Sequence, residues 1–395
     1  MLKPIWNRIG KSRDTAGPLE RKRFGLVTVL EADLEGAKAP TLALDPKYYT
    51  DPAIFEREKD RIFYRTWQYA GHLSRLRNKG DYFTFEVAGQ NIFAVRDRQD
   101  KVRCFYNVCM HRAHELLSGE GNRKIITCPY HAWSYGLDGQ FRRAPNQEKV
   151  KGFDGSKVCL TEVRSESFLG FLFVNLDPQA QPMDEWYPGA REELASYVPE
   201  MEKLVPIITN AVDEDCNWKV SVENYSECYH CRLVHPTFSS GVIDPECYNI
   251  MPQGHCLRHT TRAANLDAMT YPIDESIPHA SDYSSWFLWP TISFQVYPGN
   301  QLNTYRFEPT GHATTRVHRD WYSPNGVESD VVDRLAQQDL ATTVSEDVSL
   351  VNSVQRGLKS RGYRPGPLVI DPDFGVKSEH SVQALKEWAL EALGE

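Results

Sequence analysis

Residues 109–131 read CMHRAHELLSGEGNRKIITCPYH, and no other stretch constrains the fold as strongly. It gathers two Cys and three His in a chain with nine Cys and twelve His in all. Four of these side chains form two short pairs, Cys109-x-His111 and Cys128-x-x-His131, with sixteen residues between the pairs. Each pair fits one tight loop, and SGEGN supplies a turn between them. Four unrelated buried side chains would be a poor account of such spacing.

Two inorganic centres accept this donor set. Zinc takes Cys₂His₂ tetrahedrally. A Rieske [2Fe–2S] cluster takes two Cys on one iron and two His on the other. Zinc fingers usually pair Cys with Cys and His with His, whereas each loop here contributes one of each, as a cluster needs if both loops reach both irons. The surroundings also favour the cluster. DYFTFEVAGQNIFAVRDRQDKVRCFYNV, from Asp81, alternates apolar and polar residues and is interrupted by turn-like AGQN and RDRQDK. That pattern predicts successive antiparallel strands, with FLGFLFVNLDP closing the unit at Pro178.

The chain divides accordingly into a basic arm over 1–45, a helix over 46–64, a β unit over 65–180 and an α+β remainder over 181–395. In the arm, Lys3, Arg8, Lys11, Arg13, Arg21, Lys22 and Arg23 face only Asp14 and Glu20 over the first 24 residues, with no apolar signal segment. Asp51 suits an N-cap, Pro52 a first helical position, and Ile54, Phe55, Ile62 and Phe63 recur at helical spacing. Beyond the β unit, a helical patch near SVENYSECYHC precedes strand-like WFLWPTISFQVYPG and NTYRFEPTGHATTRVHRDWY, then a long helical pattern from about Asp330 to Lys359. Blocks of strands and helices predict α+β. A net charge of −8 argues against nucleic acid as the main partner. No apolar run approaches a bilayer span. Nine irregularly spaced Cys without a secretory signal predict reduced thiols in a cytoplasm.

A second constellation lies in NWKVSVENYSECYHCRLVHPTF, where Glu227, His230 and His235 stand out. Two His this close can chelate one ion. An iron(II) oxygenase site needs two His and one carboxylate and leaves positions open for O₂ and substrate. Asp347, in SEDVSLVNSVQRGLKSRGY on the long helix, is the candidate carboxylate. Cys228-x-x-Cys231 admits a zinc half-site or a redox pair; the reading preferred here is that both are packing residues.

CMHR and CPYHAW resemble the Rieske motif of ring-hydroxylating and related non-haem iron oxygenases, with Met110 where the family commonly has Pro. Respiratory Rieske proteins carry an extra Cys in each loop, and these loops have none. Carboxylate-x-x-His-x₄-His plus a distant Asp completes the resemblance. It implies a Rieske domain inserted in a helix-grip-like catalytic domain with an antiparallel sheet and a long C-terminal helix. It also implies a cluster on Cys109, His111, Cys128 and His131, mononuclear Fe(II) on His230, His235 and Asp347, and a separate NAD(P)H-dependent reductase. The family assembles as a head-to-tail trimer in which a carboxylate bridges the iron His of one subunit and the second Rieske His of the next, here Glu227 between His230 and His131. That bridge is usually Asp. Glu, together with SVQRGLKSRGYR, resembles the quaternary-amine group of carnitine, glycine betaine and proline betaine oxygenases.

The expected reaction is therefore O₂-dependent N-demethylation of a betaine with release of formaldehyde. Carnitine cleavage to trimethylamine, aromatic ring hydroxylation and a non-enzymatic zinc-stabilised binder are the rivals. A quaternary ammonium cannot donate a hydrogen bond, so aromatic faces are its partners. Tyr225, Trp286 and Trp289 are the leading candidates, with Tyr283, Phe287, Tyr297, Tyr305 and Trp321 behind them. His114 reads as a residue at the edge of the cluster. Arg112, Arg142 and Arg143 could meet an acidic reductase.

Overall fold

The computed structural model describes residues 39–269 and 271–395, so the basic arm lies outside it as far as residue 38. Residues 41–395 form one compact unit. Asp51 caps the helix Pro52–Glu58, its side chain accepting from the Ala53 N–H, and one π-helical turn, Lys59–Phe63, extends it.

Two seven-stranded antiparallel sheets carry the architecture. The first contains Asp81–Val87, Gln90–Arg96 and Val102–Tyr106 in sequence order, then Glu162–Phe168 and Phe171–Asn175. Gly170, at φ +91°, closes the last hairpin where a Cβ would crowd His72. Glu120–Asn122, expected to be turn, pairs as an edge strand with Asp81–Phe83. A small three-stranded sheet, Ile126–Thr127, Ser134–Tyr135 and Phe141–Arg143, frames the second Cys/His loop.

The second sheet orders Leu204–Glu214, Thr314–Pro324, Gln301–Gly311, Ile292–Tyr297, Asp282–Leu288, Cys256–Arg262 and Asn249–Gln253 side by side. Side chains alternate across a strand, so this sheet has two apolar faces with different neighbours. Trp286, Phe294, Val296, Leu302 and Tyr322 pack on Phe168, Phe171 and Phe173 of the first sheet and on the helix Ala190–Tyr197. The opposite face carries Leu257, Phe287, Tyr305, Phe307 and Val317, which pack with Trp218 and Val222 of the helix Trp218–Tyr225.

The long C-terminal helical pattern runs as Asp330–Asp339, a π-helical turn Leu340–Val344, and Ser345–Leu358. A further helix, His380–Leu393, closes over the same face and was not expected from the sequence. Its Ala384, Leu385 and Ala389 pack beside Phe63, Trp218 and Trp289. Among the described residues no helix is long and apolar enough to cross a membrane.

Candidate active site

The two Cys/His loops have the same backbone. In the first, Cys109 N–H donates to His114 O at 2.8 Å and Ala113 N–H returns to Cys109 O at 3.0 Å. In the second, Cys128 N–H donates to Trp133 O at 2.8 Å and Ala132 N–H returns to Cys128 O at 3.0 Å. Ala113 and Ala132 both sit at φ +57°, a conformation a larger side chain would adopt with strain. Both sulfurs are buried while His111 is exposed, and the two rings meet edge to face with centroids 4.7 Å apart. His131 Nδ1 is buried without a partner. Buried polar atoms are normally satisfied, so this nitrogen is aimed at something other than protein.

The four donors are not tight enough for one ion. A tetrahedral zinc would bring them to about 3.5 Å from one another. Among the described residues, the one group of three or more donors within 4.8 Å of one another is His230, His235 and Asp347. Inner sulfurs and outer imidazoles at wider spacing suit a two-iron cluster. Tyr135, which the sequence did not single out, adds a control on it. Its hydroxyl accepts from Met110 N–H at 3.1 Å and lies 3.3 Å from Cys109 Sγ, which as a cluster thiolate would accept its proton. His114 is exposed and contacts the Glu115 carbonyl, while Arg142 is paired with Asp138 at 2.6 Å.

The second constellation converges from two helical segments. After Tyr225 the chain leaves its helix, and His230 and His235 flank the short turn Cys231–Val234. Their Nε2 atoms are 3.1 Å apart. Asp347, from the first turn of Ser345–Leu358, places Oδ1 3.1 Å from His235 Nε2 and 3.6 Å from His230 Nε2, with no well-aimed hydrogen bond to either. Three donors crowded in this way, with the rest of the sphere open, fit a mononuclear iron(II).

Each imidazole is held from behind by a carboxylate. Glu227 Oε1 lies 2.5 Å from His230 Nδ1, and Glu346 Oε2 lies 2.7 Å from His235 Nδ1. Such partners fix the tautomer that leaves Nε2 for a metal. Burial opposes charge on His230, but Asp347 and Glu227 outweigh it and raise the ring to about 10. Burial also opposes charge on Asp347, which the two imidazoles nonetheless hold below its usual range. A cation and a proton therefore compete for the same nitrogens. Glu346 was missed in the sequence, where it is simply the residue before Asp347.

A cavity of about 60 Å³ opens beside these three residues, lined by Asn224, Tyr225, Phe238, Tyr248, Tyr283, Gln295, Tyr297 and Tyr305 among others. Ring centroids lie 5.2 Å apart for Phe238–Tyr283, 5.3 Å for Tyr283–Tyr297 and 5.3 Å for Tyr225–Tyr305. Tyr225 is fixed by Ser293 at 2.6 Å and Gln295 at 2.7 Å, and burial pushes its hydroxyl up to about 12. A second cavity, of about 120 Å³, shares Phe238, Tyr297 and Thr343 with the first and extends to Gln338, Asp339 and Thr342. Among the described residues, no Lys or Arg lines either.

Trp286 and Trp289 do not reach this site, correcting the sequence expectation. Tyr283 and Ser285 face the cavity, so Trp286 points to the other side of the sheet, where its indole N–H donates to Glu193 at 2.8 Å. Trp289 lies in the turn beyond that strand and packs between Trp218 and Trp388, with centroids at 5.5 and 5.7 Å. Cys228 and Cys231 require a correction too. They are bonded to each other as a disulfide, not merely packed, while the other seven Cys are free.

Comparison with known proteins puts each constellation inside a matched domain. The Rieske [2Fe-2S] domain profile matches residues 66–154 and the ring hydroxylating alpha subunit (catalytic domain) profile matches 201–395. The carnitine monooxygenase oxygenase subunit of Escherichia coli K12 is 38% identical over 339 residues, covering 85% of this chain and 90% of that protein. The chain belongs to the Rieske non-haem iron oxygenases. This oxygenase is also 27% identical to the glycine betaine monooxygenase oxygenase subunit of Chromohalobacter salexigens, over 87% of this chain and 86% of the relative. The crystal structure of the quaternary ammonium Rieske monooxygenase CntA in complex with L-carnitine superposes with a TM-score of 0.79 at 33% identity, covering 89% and 96% of the two chains. As a Rieske monooxygenase the chain uses a [2Fe–2S] cluster and a mononuclear iron and draws electrons from a separate reductase.

Proposed function

We propose that this oxygenase hydroxylates a carbon attached to the nitrogen of a quaternary-ammonium substrate, after which the carbon–nitrogen bond breaks. The observation that carries this reading is the aromatic wall of Tyr225, Phe238, Tyr283, Tyr297 and Tyr305 beside His230, His235 and Asp347. Aromatic faces attract a cation that can offer no hydrogen bond. The iron, when bound by His230, His235 and Asp347, supplies O₂ activation. The balance is one C–H bond, O₂, two electrons and two protons giving a carbinol and water. The carbinol then collapses to an amine and an aldehyde.

A cage of ring faces holds the four nitrogen substituents without distinguishing them, so either a methyl group or the chain carbon can meet the iron. Attack on a methyl releases formaldehyde, the N-demethylation of a betaine expected from the sequence. Attack on the chain carbon of carnitine releases trimethylamine. The 38% identity to a carnitine monooxygenase subunit, against 27% to a glycine betaine monooxygenase subunit, favours the second outcome. The small first cavity takes the ammonium head and the second takes the tail, with Gln338, Thr342 and Thr343 as neutral donors for a carboxylate.

Electrons reach the iron between subunits, from His131 of one chain to Glu227 and His230 of the next in a homotrimer. Exposed apolar side chains flank both ends of this route, Met110 and Tyr130 beside the cluster and Tyr229 and Leu233 beside Glu227 and His230. Leu233, 87% exposed, and Tyr229 offer apolar surface that a neighbouring subunit would cover in this assembly.

The test is one anaerobically reduced turnover with carnitine, glycine betaine and proline betaine supplied separately. Trimethylamine from carnitine supports chain-carbon attack, and formaldehyde from either betaine supports N-demethylation. Neither product from protein with both iron sites filled would remove the quaternary-ammonium reading.

A further inference from the structure

Cys228 follows Glu227 directly, and Cys231 follows His230 directly. Their disulfide, with the two Cys Cα atoms 4.9 Å apart, therefore closes a loop that contains the iron imidazole and begins at the residue after the bridging carboxylate. Glu227 Oε1 and His230 Nδ1 meet across the same loop at 2.5 Å, and the Glu227 carboxylate also accepts from the Tyr229 and His230 N–H groups. Covalent and polar links thus fix the same five residues. Both Cys residues are buried, and both line the iron cavity as well as packing on Ile243, Tyr248 and Ile250.

We infer that Cys228 and Cys231 are a redox-interconvertible pair whose disulfide staples the electron-transfer loop, and whose reduction slows delivery of electrons to the iron. The inference rests on the reading of Glu227 as bridge and His230 as ligand. Cys-x-x-Cys is the spacing used by reversible dithiol–disulfide couples, and disulfides in reducing compartments are mostly of this transient kind. The reductant is an external dithiol. One of its sulfurs attacks a sulfur of the pair, the protein S–S bond breaks and a mixed disulfide forms; its second sulfur then attacks the first and expels the protein sulfur, so that two electrons and two protons pass to Cys228 and Cys231 and the donor leaves as a disulfide. The opened loop keeps its packing but loses the tie that sets the distance from Glu227 to His230. A misplaced partner of a metal imidazole costs on the order of tenfold or more.

The test uses the holoenzyme equilibrated in reduced or oxidised dithiothreitol and then desalted. Alkylation and mass analysis of the 228–231 peptide report the state of the pair. Re-oxidation of the pre-reduced Rieske cluster by O₂ with substrate, followed optically, reports electron delivery, and mononuclear iron is assayed alongside. The expected result is a pair that cycles reversibly, with cluster re-oxidation about tenfold slower in the dithiol form at unchanged iron content. Cys228→Ala/Cys231→Ala should be slow in both buffers. Sulfurs that stay free in the oxidising buffer overturn the proposal, as do equal rates in the two forms or a double variant that still responds to the buffer. Glu227→Gln separates the two layers. If it transfers as fast as the parent, the reading of Glu227 as bridge has failed. If it is slow while the redox state has no effect, the switch alone has failed.

Discussion

At the scale of single residues, the site divides into groups that would touch iron and groups that hold those in place. Asp347→Ala removes one of three donors, and the expected outcome is loss of mononuclear iron with an unchanged Rieske spectrum. Glu346→Ala tests the weaker role. It leaves the donors intact but frees His235 Nδ1, so iron affinity should fall about 10- to 100-fold in a chelator competition, with Glu346→Gln recovering part of the loss. With Cys109 as a cluster thiolate, the Tyr135 hydroxyl 3.3 Å away would donate to Sγ, and hydrogen bonds to cluster sulfurs raise the reduction potential. Tyr135→Phe should therefore lower the cluster potential by roughly tens of millivolts in a redox titration. The metal-site candidates were legible in the sequence because a ligand set leaves a spacing. Glu346 and Tyr135 were not, because a residue acting through another needs only proximity in space. Trp286 was misjudged for a different reason. Parity along its strand was available, but nothing in the sequence said which parity faced the iron until Tyr283 and Ser285 had been placed.

At the scale of elements, what matters is how the helix Trp218–Tyr225 is anchored, since the ligand loop starts at its end. Asn217 caps it, its side chain accepting from Lys219 N–H at 3.0 Å, and Gln355 of the Asp347-bearing helix accepts from Asn217 N–H at 2.9 Å. On its buried side Lys219 pairs with Glu58 at 2.5 Å, and Tyr49 donates to Glu223 at 2.7 Å. Glu58, Tyr49 and Glu223 tie the expected N-terminal helical region to the iron helix, a contact between residues more than 150 positions apart that no local pattern announces. Burial pushes Glu223 up from 4.5 to about 7, against the opposing pull of Tyr49 and Lys219. The folded state therefore holds a proton that the unfolded state releases between these values, and stability falls as pH rises from 4.5 to 7. Glu223→Gln should flatten that limb of the pH–stability curve, with a difference of up to about 3 kcal/mol between the two ends. Chemical denaturation across the interval measures it, and parallel curves for parent and variant would refute it.

For the whole molecule, the question is which subunit's cluster serves which iron. The strand pattern of the β unit and both ligand motifs were readable in one chain, whereas packing of its Phe168, Phe171 and Phe173 on Trp286 and Phe294 was not, since both partners read simply as buried strand. An assembly is less accessible still to a single sequence, and the trimer proposed above would draw on surface: exposed Tyr229 and Leu233 at one end of the proposed electron path, exposed Met110 and Tyr130 at the other. If electrons cross between subunits, two differently damaged chains can repair each other. His131→Ala should spoil the cluster and spare the iron site, and Asp347→Ala the reverse, so homotrimers of either should be inactive. When the two are co-expressed with distinct tags and mixed trimers are isolated through both, every mixed trimer contains an intact cluster facing an intact iron across one interface, provided each interface runs head to tail. Such trimers should regain about one-third of parental turnover, because one of three interfaces is whole. A third variant fixes the direction of the path. Adding Glu227→Ala to the His131→Ala chain removes the bridge beside the one working iron and should abolish the regained activity, whereas adding it to the Asp347→Ala chain should leave that activity in place. Recovery absent from correctly assembled mixed trimers would confine electron transfer to single subunits.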